Sequence, residues 1–238
     1  MTSEGLIKNL FNAGAHFAFS KSRRHPSAKP FIFGVKNKVE IFDLEKTAVQ
    51  LESAKEFLAK IASEGGQILF VGSKNEAREI VKSGAKEAEM PFVSTRWVGG
   101  SLTNFAEIRK RVNRLEDLRS QTEKGELGKY TKKERLLIER EIESLEKSFD
   151  GLVLMKRLPA ALFIIDSKRE AIAVKEAKVR KIPVVSLSSS DCDLNVINFA
   201  IPGNDSSPTS IKFFVNEIVE AIEKGKLTKK ETKDNKED

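Results

Sequence analysis

The chain has 238 residues, 39% of them hydrophobic and 32% charged, which suits one α/β core with a modest insertion. Lys and Arg number 42 against 35 Asp and Glu, a net charge of +7, which favours an acidic partner such as nucleic acid. The single cysteine, Cys192, excludes an internal disulfide framework and fits a reducing cytoplasm, and no apolar run approaches the ~20 residues needed to span a bilayer.

The predicted elements begin with a short amphipathic helix from Glu4 to Ala13, with Leu6, Ile7, Leu10 and Phe11 on one face. Nothing before Ala15 reads as a secretory signal. From His16 to Lys38 there are six basic residues and no acidic one, so most of the net charge sits in one strip. A local strip of this kind is a better sign of phosphate contact than a diffuse excess. Pro26 and Pro30 stiffen it. Two short strands follow, at 31–33 and 39–42, then a long amphipathic helix at 44–63 ended by Gly65-Gly66.

Ile68-Leu69-Phe70-Val71 is wholly apolar, as in a strand buried on both faces. A helix at 75–87 and a strand at 91–94 come next. Beyond an interruption the alternation resumes: strand 161–166, helix 170–180, strand 183–187, strand 199–201 and a closing helix at 209–223. Strands alternating with helices predict an α/β fold of Rossmann-like type, a mainly parallel sheet wrapped by helices. Residues 226–238 are charged and nearly free of apolar side chains, which predicts a disordered tail.

The interruption is a predicted antiparallel coiled-coil hairpin over 104–149. Phe105, Ile108, Val112 and Leu115 are spaced 3, 4, 3, and Ile138, Ile142, Leu145 and Phe149 are spaced 4, 3, 4, so both sets follow an a/d seam. Glycines at 125 and 128 mark the turn. The hairpin divides a discontinuous α/β domain, 1–103 with 150–225.

Five blocks occur in order: Asn12-Ala13-Gly14-Ala15-His16-Phe17, Phe31-Ile32-Phe33-Gly34, Arg96-Trp97-Val98-Gly99-Gly100-Ser101-Leu102-Thr103-Asn104-Phe105, Met155-Lys156-Arg157-Leu158-Pro159 and Ile201-Pro202-Gly203-Asn204-Asp205. Together they resemble the bacterial-type small-subunit ribosomal protein S two family, over roughly Leu6 to Lys224. The resemblance implies a non-catalytic constituent of the small ribosomal subunit in the cytoplasm, bound to small-subunit rRNA. It also implies docking of other small-subunit proteins, among them ribosomal protein S one. The chain departs from the family pattern at Phe19, where a second histidine is common, at His25, where a tryptophan is frequent, and at Leu194, where a proline is usual.

The expected rRNA-binding set is Lys21, Arg23, Arg24, Lys29 and Lys36 in the strip, Arg96, Arg109, Lys110, Arg111 and Arg114 at one root of the hairpin, and Lys156 and Arg157 at the other. Arginine suits such contacts because its planar fork donates two hydrogen bonds to one phosphate. A solvated loop and an ordinary charged helix face are the plainer readings. Trp97 reads as a structural anchor at the hairpin root, with stacking on an unpaired base as the alternative.

The alternative function is a Rossmann-like nucleotide-binding enzyme with the hairpin as lid or dimerisation arm. Against it, Val71-Gly72-Ser73-Lys74-Asn75-Glu76 after the first long buried strand matches neither G-x-G-x-x-G nor G-x-x-x-x-G-K-[ST]. Cys192 carries no nucleophile motif and reads as an inert thiol. No cofactor is required by this reading. A divalent ion such as zinc on His16, Asp191, Asp193 and Asp205 is an open expectation, set against a hydrogen-bonded histidine and ordinary turn aspartates.

Overall fold

The computed structural model describes residues 3–234. Its centre is a five-stranded sheet, all parallel, in the order β5 (Phe92–Val93), β4 (Ile68–Val71), β6 (Ala161–Ile165), β7 (Val184–Ser188), β8 (Phe199–Pro202). Side chains alternate across it. Ile68, Phe70, Phe163, Ile165 and Leu187 face one apolar layer, while Leu69, Val71, Leu162, Ile164 and Val184 face the other. That is why β4 and β6 read as unbroken apolar runs.

The first layer is covered by α1 (Ser3–Asn12), α2 (Leu44–Ser63), α3 (Arg78–Glu87) and α7 (Pro208–Asp234). Asp43 caps α2 by accepting hydrogen bonds from the amides of Glu45 and Lys46. A Cβ at Gly225 would run into the backbone of Ala59, so glycine is what lets α7 cross α2 closely. The other layer is covered by α6 (Ala171–Arg180) and by α4 (Phe105–Glu123) and α5 (Lys132–Phe149).

A second sheet, antiparallel and three-stranded, was not anticipated in full: β1 (Phe17–Ser20), β3 (Val39–Phe42) and β2 (Ile32–Lys36), in the order β1-β3-β2. β1 lies inside the basic strip, and its short Phe-Ala-Phe-Ser run follows a turn in which Gly14 takes φ +72°.

One further expectation changes, and another is extended. α7 continues to Asp234, so residues 226–234 of the expected disordered tail are helical, and the remainder falls outside the described residues. The segment is rich in Lys, a good helix former, and Lys226 is fastened at its start by donating to the Ala88 carbonyl at 2.7 Å and to Glu89 at 3.1 Å. The helices α4 and α5 pack side by side through a short 3-10 turn at Glu126–Lys129. Their apolar contact takes in every residue of the expected seam, with Phe105, Ile138 and Ile142 partly buried against it, and extends beyond it to Leu118. Leu118 is buried beside Val112 and Leu115, whereas on α5 only Leu145 and Phe149 are buried. Leu136 and Leu137, 46% and 55% exposed, leave the far half of α5 in solvent. The root of the pair is therefore part of the main core, and the tip is not.

Candidate nucleic-acid interface

The basic strip folds into an ordered ledge. Two 3-10 turns, Lys21–Arg23 and Pro26–Phe31, are tied to the segment after β7. The His25 amide donates to the Ser190 carbonyl at 2.8 Å, the Phe19 amide to Ser190 Oγ at 3.1 Å, and the Leu194 amide to Ser27 Oγ at 2.9 Å. On this ledge Lys21, Lys29 and Lys36 are exposed and free of ion pairs among the described residues. Arg23 is 57% exposed, lies 4.1 Å above the Phe19 ring and approaches Asp191 at 3.7 Å. Arg24 departs from expectation. It points inward and donates to Glu40 Oε1 at 2.7 Å, beneath the three-stranded sheet, where Glu40 is fully buried. A carboxylate enclosed there needs a cation, so Arg24 holds the sheet together rather than facing a ligand.

The hairpin root is built by two side chains that the sequence reading missed. Glu176 of α6 gathers the whole turn 97–103. It accepts from Trp97 Nε1 at 3.1 Å and from the amides of Gly100, Leu102 and Thr103 at 2.8, 3.0 and 3.0 Å, and the Thr103 hydroxyl adds a fifth bond at 3.1 Å. Burial alone would raise this carboxyl, but the hydrogen bonds outweigh it and hold Glu176 below the usual carboxylate range. One turn further on, Arg180 donates to the carbonyls of Leu102 and Thr103. The signal was a Glu and an Arg four apart on a helix, which is common enough to pass unnoticed. Trp97, 6% exposed, is a structural anchor, and Gly100 at φ +91° makes the sharp turn that brings the amides round.

Around this root the expected RNA contacts divide. Arg96 and Lys156 are exposed and free of ion pairs among the described residues. Arg111 is exposed, and its charge helps lower the Glu141 carboxyl, mainly held down by Arg114. Arg114 itself forms a two-pronged pair with Glu141 at 3.0 and 3.1 Å. Arg109 is engaged by Glu116 at 3.0 Å and the Val153 carbonyl, Lys110 by Glu107 at 2.6 Å, and Arg157 by the Gly65 carbonyl at 2.9 Å. For Arg109, Lys110 and Arg114, the charged-helix-face reading describes what is seen.

In open α/β sheets ligands bind beyond the carboxyl ends of the strands. Here that mouth is filled by the chain itself. Lys74, after β4, reaches Asp205 at 3.0 Å, Ser206 at 3.1 Å and Asp166 at 3.3 Å. Burial would lower the Lys74 ammonium, but the two carboxylates overcome it and raise it. Asp205 is pushed up to about 6 by burial and by Asp166, with Lys74 pulling the other way. Carboxylates lining the mouth oppose a nucleotide's phosphates.

The four metal candidates do not assemble. The His16 ring stacks on Phe11 at 4.6 Å, and its Nδ1 has no hydrogen-bond partner among the described residues. Asp191 pairs with Lys168 at 2.9 Å, and Asp193 caps Asn195 and lies 3.7 Å from His25. Among the described residues the group with clustered ligand atoms is Asp166, Cys192 and Asp205, which takes in only one of the four. It fits a cation poorly: the Lys74 ammonium already lies between its carboxylates, and burial with the charges of Asp205 and Asp166 pushes the Cys192 thiol up to about 12.

The blocks that carried the resemblance pair up in space, the first with the last and the third with the fourth. Asn204 donates through its amide to the Ala15 carbonyl and through Nδ2 to that of Gly14, both at 3.0 Å, while Met155 is buried in the layer that holds the hairpin root. A Rossmann-like sheet with its ligand mouth closed, a basic ledge and a projecting helix pair defines a scaffold that presents charge. Comparison with known sequences narrows this. The profile of ribosomal protein S2 matches residues 10–225, and the chain belongs to that family. It is 44% identical over 220 residues to the small ribosomal subunit protein uS2 of Baumannia cicadellinicola, covering 92% of this chain and 95% of that one. It is 41% identical to the proteins of the same name from Desulfovibrio desulfuricans, over 95% and 88% of the two chains, and Thermus thermophilus, over 93% and 87%.

Proposed function

We propose that the chain is a structural, non-catalytic constituent of the small ribosomal subunit that binds small-subunit rRNA. Family membership over nearly the whole chain carries this reading. The geometry adds a division of labour. Lys21, Arg23, Lys29 and Lys36 on the ledge, with Arg96, Arg111 and Lys156 at the hairpin root, take the phosphates. Such contacts fix position and orientation without reading base sequence. The outer helices receive neighbouring small-subunit proteins, and ribosomal protein S one is the partner that the family resemblance implies. The chain works on the ribosome, and among its described residues no helix is long and apolar enough to cross a membrane.

Gradient sedimentation of a lysate containing the tagged full chain tests this. The chain is expected with the small subunit at low salt, with release as salt rises. Sedimentation at the top of the gradient at low salt would overturn the reading.

A further inference from the structure

The chain has a strongly acidic surface as well as its basic ones. On α2, Glu45, Val49, Glu52 and Glu56 are spaced 4, 3, 4 and form one exposed stripe. The stripe borders a groove of about 1010 Å³ between α1, α2 and α7, with Leu6, Ile7, Ala48 and Ala221 among the apolar groups of its lining. Val49 stands 66% exposed beside it. Six glutamates and two lysines line the groove. Both lysines are engaged: Lys55 bridges Glu217 at 2.7 Å and Glu52 at 2.8 Å, and Lys224 lies 3.9 Å from Glu220. Glu4, Glu45 and Glu56 have no ion pair among the described residues. Glu52 and Glu56 repel one another one turn apart. In a chain of net charge +7 this concentration of negative charge over an apolar floor is a local exception.

We infer that this groove docks a basic, amphipathic protein segment, its apolar side chains on the floor and its lysines or arginines against the α2 stripe. The sign of the charge excludes an RNA backbone as occupant, and the apolar floor supplies the contact area that charge alone lacks. The inference rests on the ribosomal reading above and gives the chemistry of one neighbouring protein.

The test uses the full chain assembled in cells, with Val49 replaced by the photo-crosslinker p-benzoylphenylalanine. Small subunits are isolated, irradiated and analysed by peptide mass spectrometry. The expected product is a peptide of another subunit protein in which Lys and Arg outnumber Asp and Glu. Its yield falls by about fivefold or more when Glu45→Lys and Glu56→Lys are added, while the chain's occupancy of the subunit is unchanged. A crosslink to RNA, a crosslink to a neutral or acidic peptide, no crosslink, or a yield indifferent to the two substitutions would each overturn the inference alone. Absence of the chain from the subunit fraction would overturn the ribosomal reading and this inference with it.

Discussion

The ledge at the N-terminus and the first turns of α4 are comparably basic in sequence, yet they use their cations differently. On the ledge, Lys21, Lys29 and Lys36 have no ion pair among the described residues, because its acid-free sequence offers them no neighbour, and the carboxylates that do approach it are taken by Arg24 (Glu40), Arg23 (Asp191) and His25 (Asp193). On α4, Arg109, Lys110 and Arg114 each find a glutamate on their own helix or on α5. A cation matters to a polyanion only if it is not already neutralised within the chain. The difference comes from the spacing of acids: helical periodicity returns a Glu within reach every three or four residues, and a stiff, proline-broken loop does not.

The sharpest way to break this comparison is to separate Arg23 from Arg24. Arg24→Ala leaves Glu40 buried without its cation, and a loss of about 3–5 kcal/mol is expected, read as a fall in Tm of about 10 °C. Arg23→Ala should leave Tm within about 1 °C. If Arg24→Ala proves as mild as Arg23→Ala, the inward role assigned to Arg24 fails. Glu176→Ala removes the shared acceptor of five donors at the hairpin root, and a loss of about 3 kcal/mol or more is expected, with Tm falling by about 6–12 °C. The folded-state carboxyl of Glu176 is depressed, so the stability it adds is fully present above its ordinary value of 4.5 and is lost as pH falls through the lowered folded value. Acid unfolding curves of the wild type and Glu176→Ala should therefore converge at low pH; parallel curves would contradict the clamp.

The free cations give a different signature. Replacing Lys21, Lys29 and Lys36 together by alanine should leave Tm within about 1 °C and reduce the slope of log affinity for small-subunit rRNA against log salt by about 3. An unchanged slope would remove them from the interface. The smallest effect is expected from Arg114→Ala, about 0.5 kcal/mol, since its pair with Glu141 is half exposed. A change in the salt slope on that substitution would show that RNA displaces Glu141, and the contrast between the two regions would then weaken.

Much of the fold was legible because burial on both faces leaves a plain mark: β4 and β6 are apolar runs bounded by turns. The helix pair was legible from its spacing, and its limits were not. Leu118 lies one step off the regular seam, and it is buried in the same apolar cluster as Phe149 of α5 and Leu152 beyond it. β1 was missed because four residues in a basic loop gain strand character only from pairing with β3, a tertiary effect. The interface was half legible. The sequence showed where positive charge gathers, but Arg24 and Arg23 are neighbours of one type, and only burial distinguishes them. Glu176, Arg180 and Lys74 were invisible for a related reason: their partners lie 73 to 132 residues away.

The clamp at Glu176 and Arg180 also sets an order on events as the chain is made. The turn it holds is complete once residue 103 emerges, but its acceptor and donor arrive more than seventy residues later. β4 likewise waits for β6, which follows the helix pair. Between those moments α4 and α5 can form by local contact while their base hangs loose, and one closure across α6 then fixes the projection. Nascent chains stalled before Glu176 should be cut readily by protease within 97–103, and chains released past Arg180 should not. Synthesis thus leaves the arm unaimed until the last third of the protein exists.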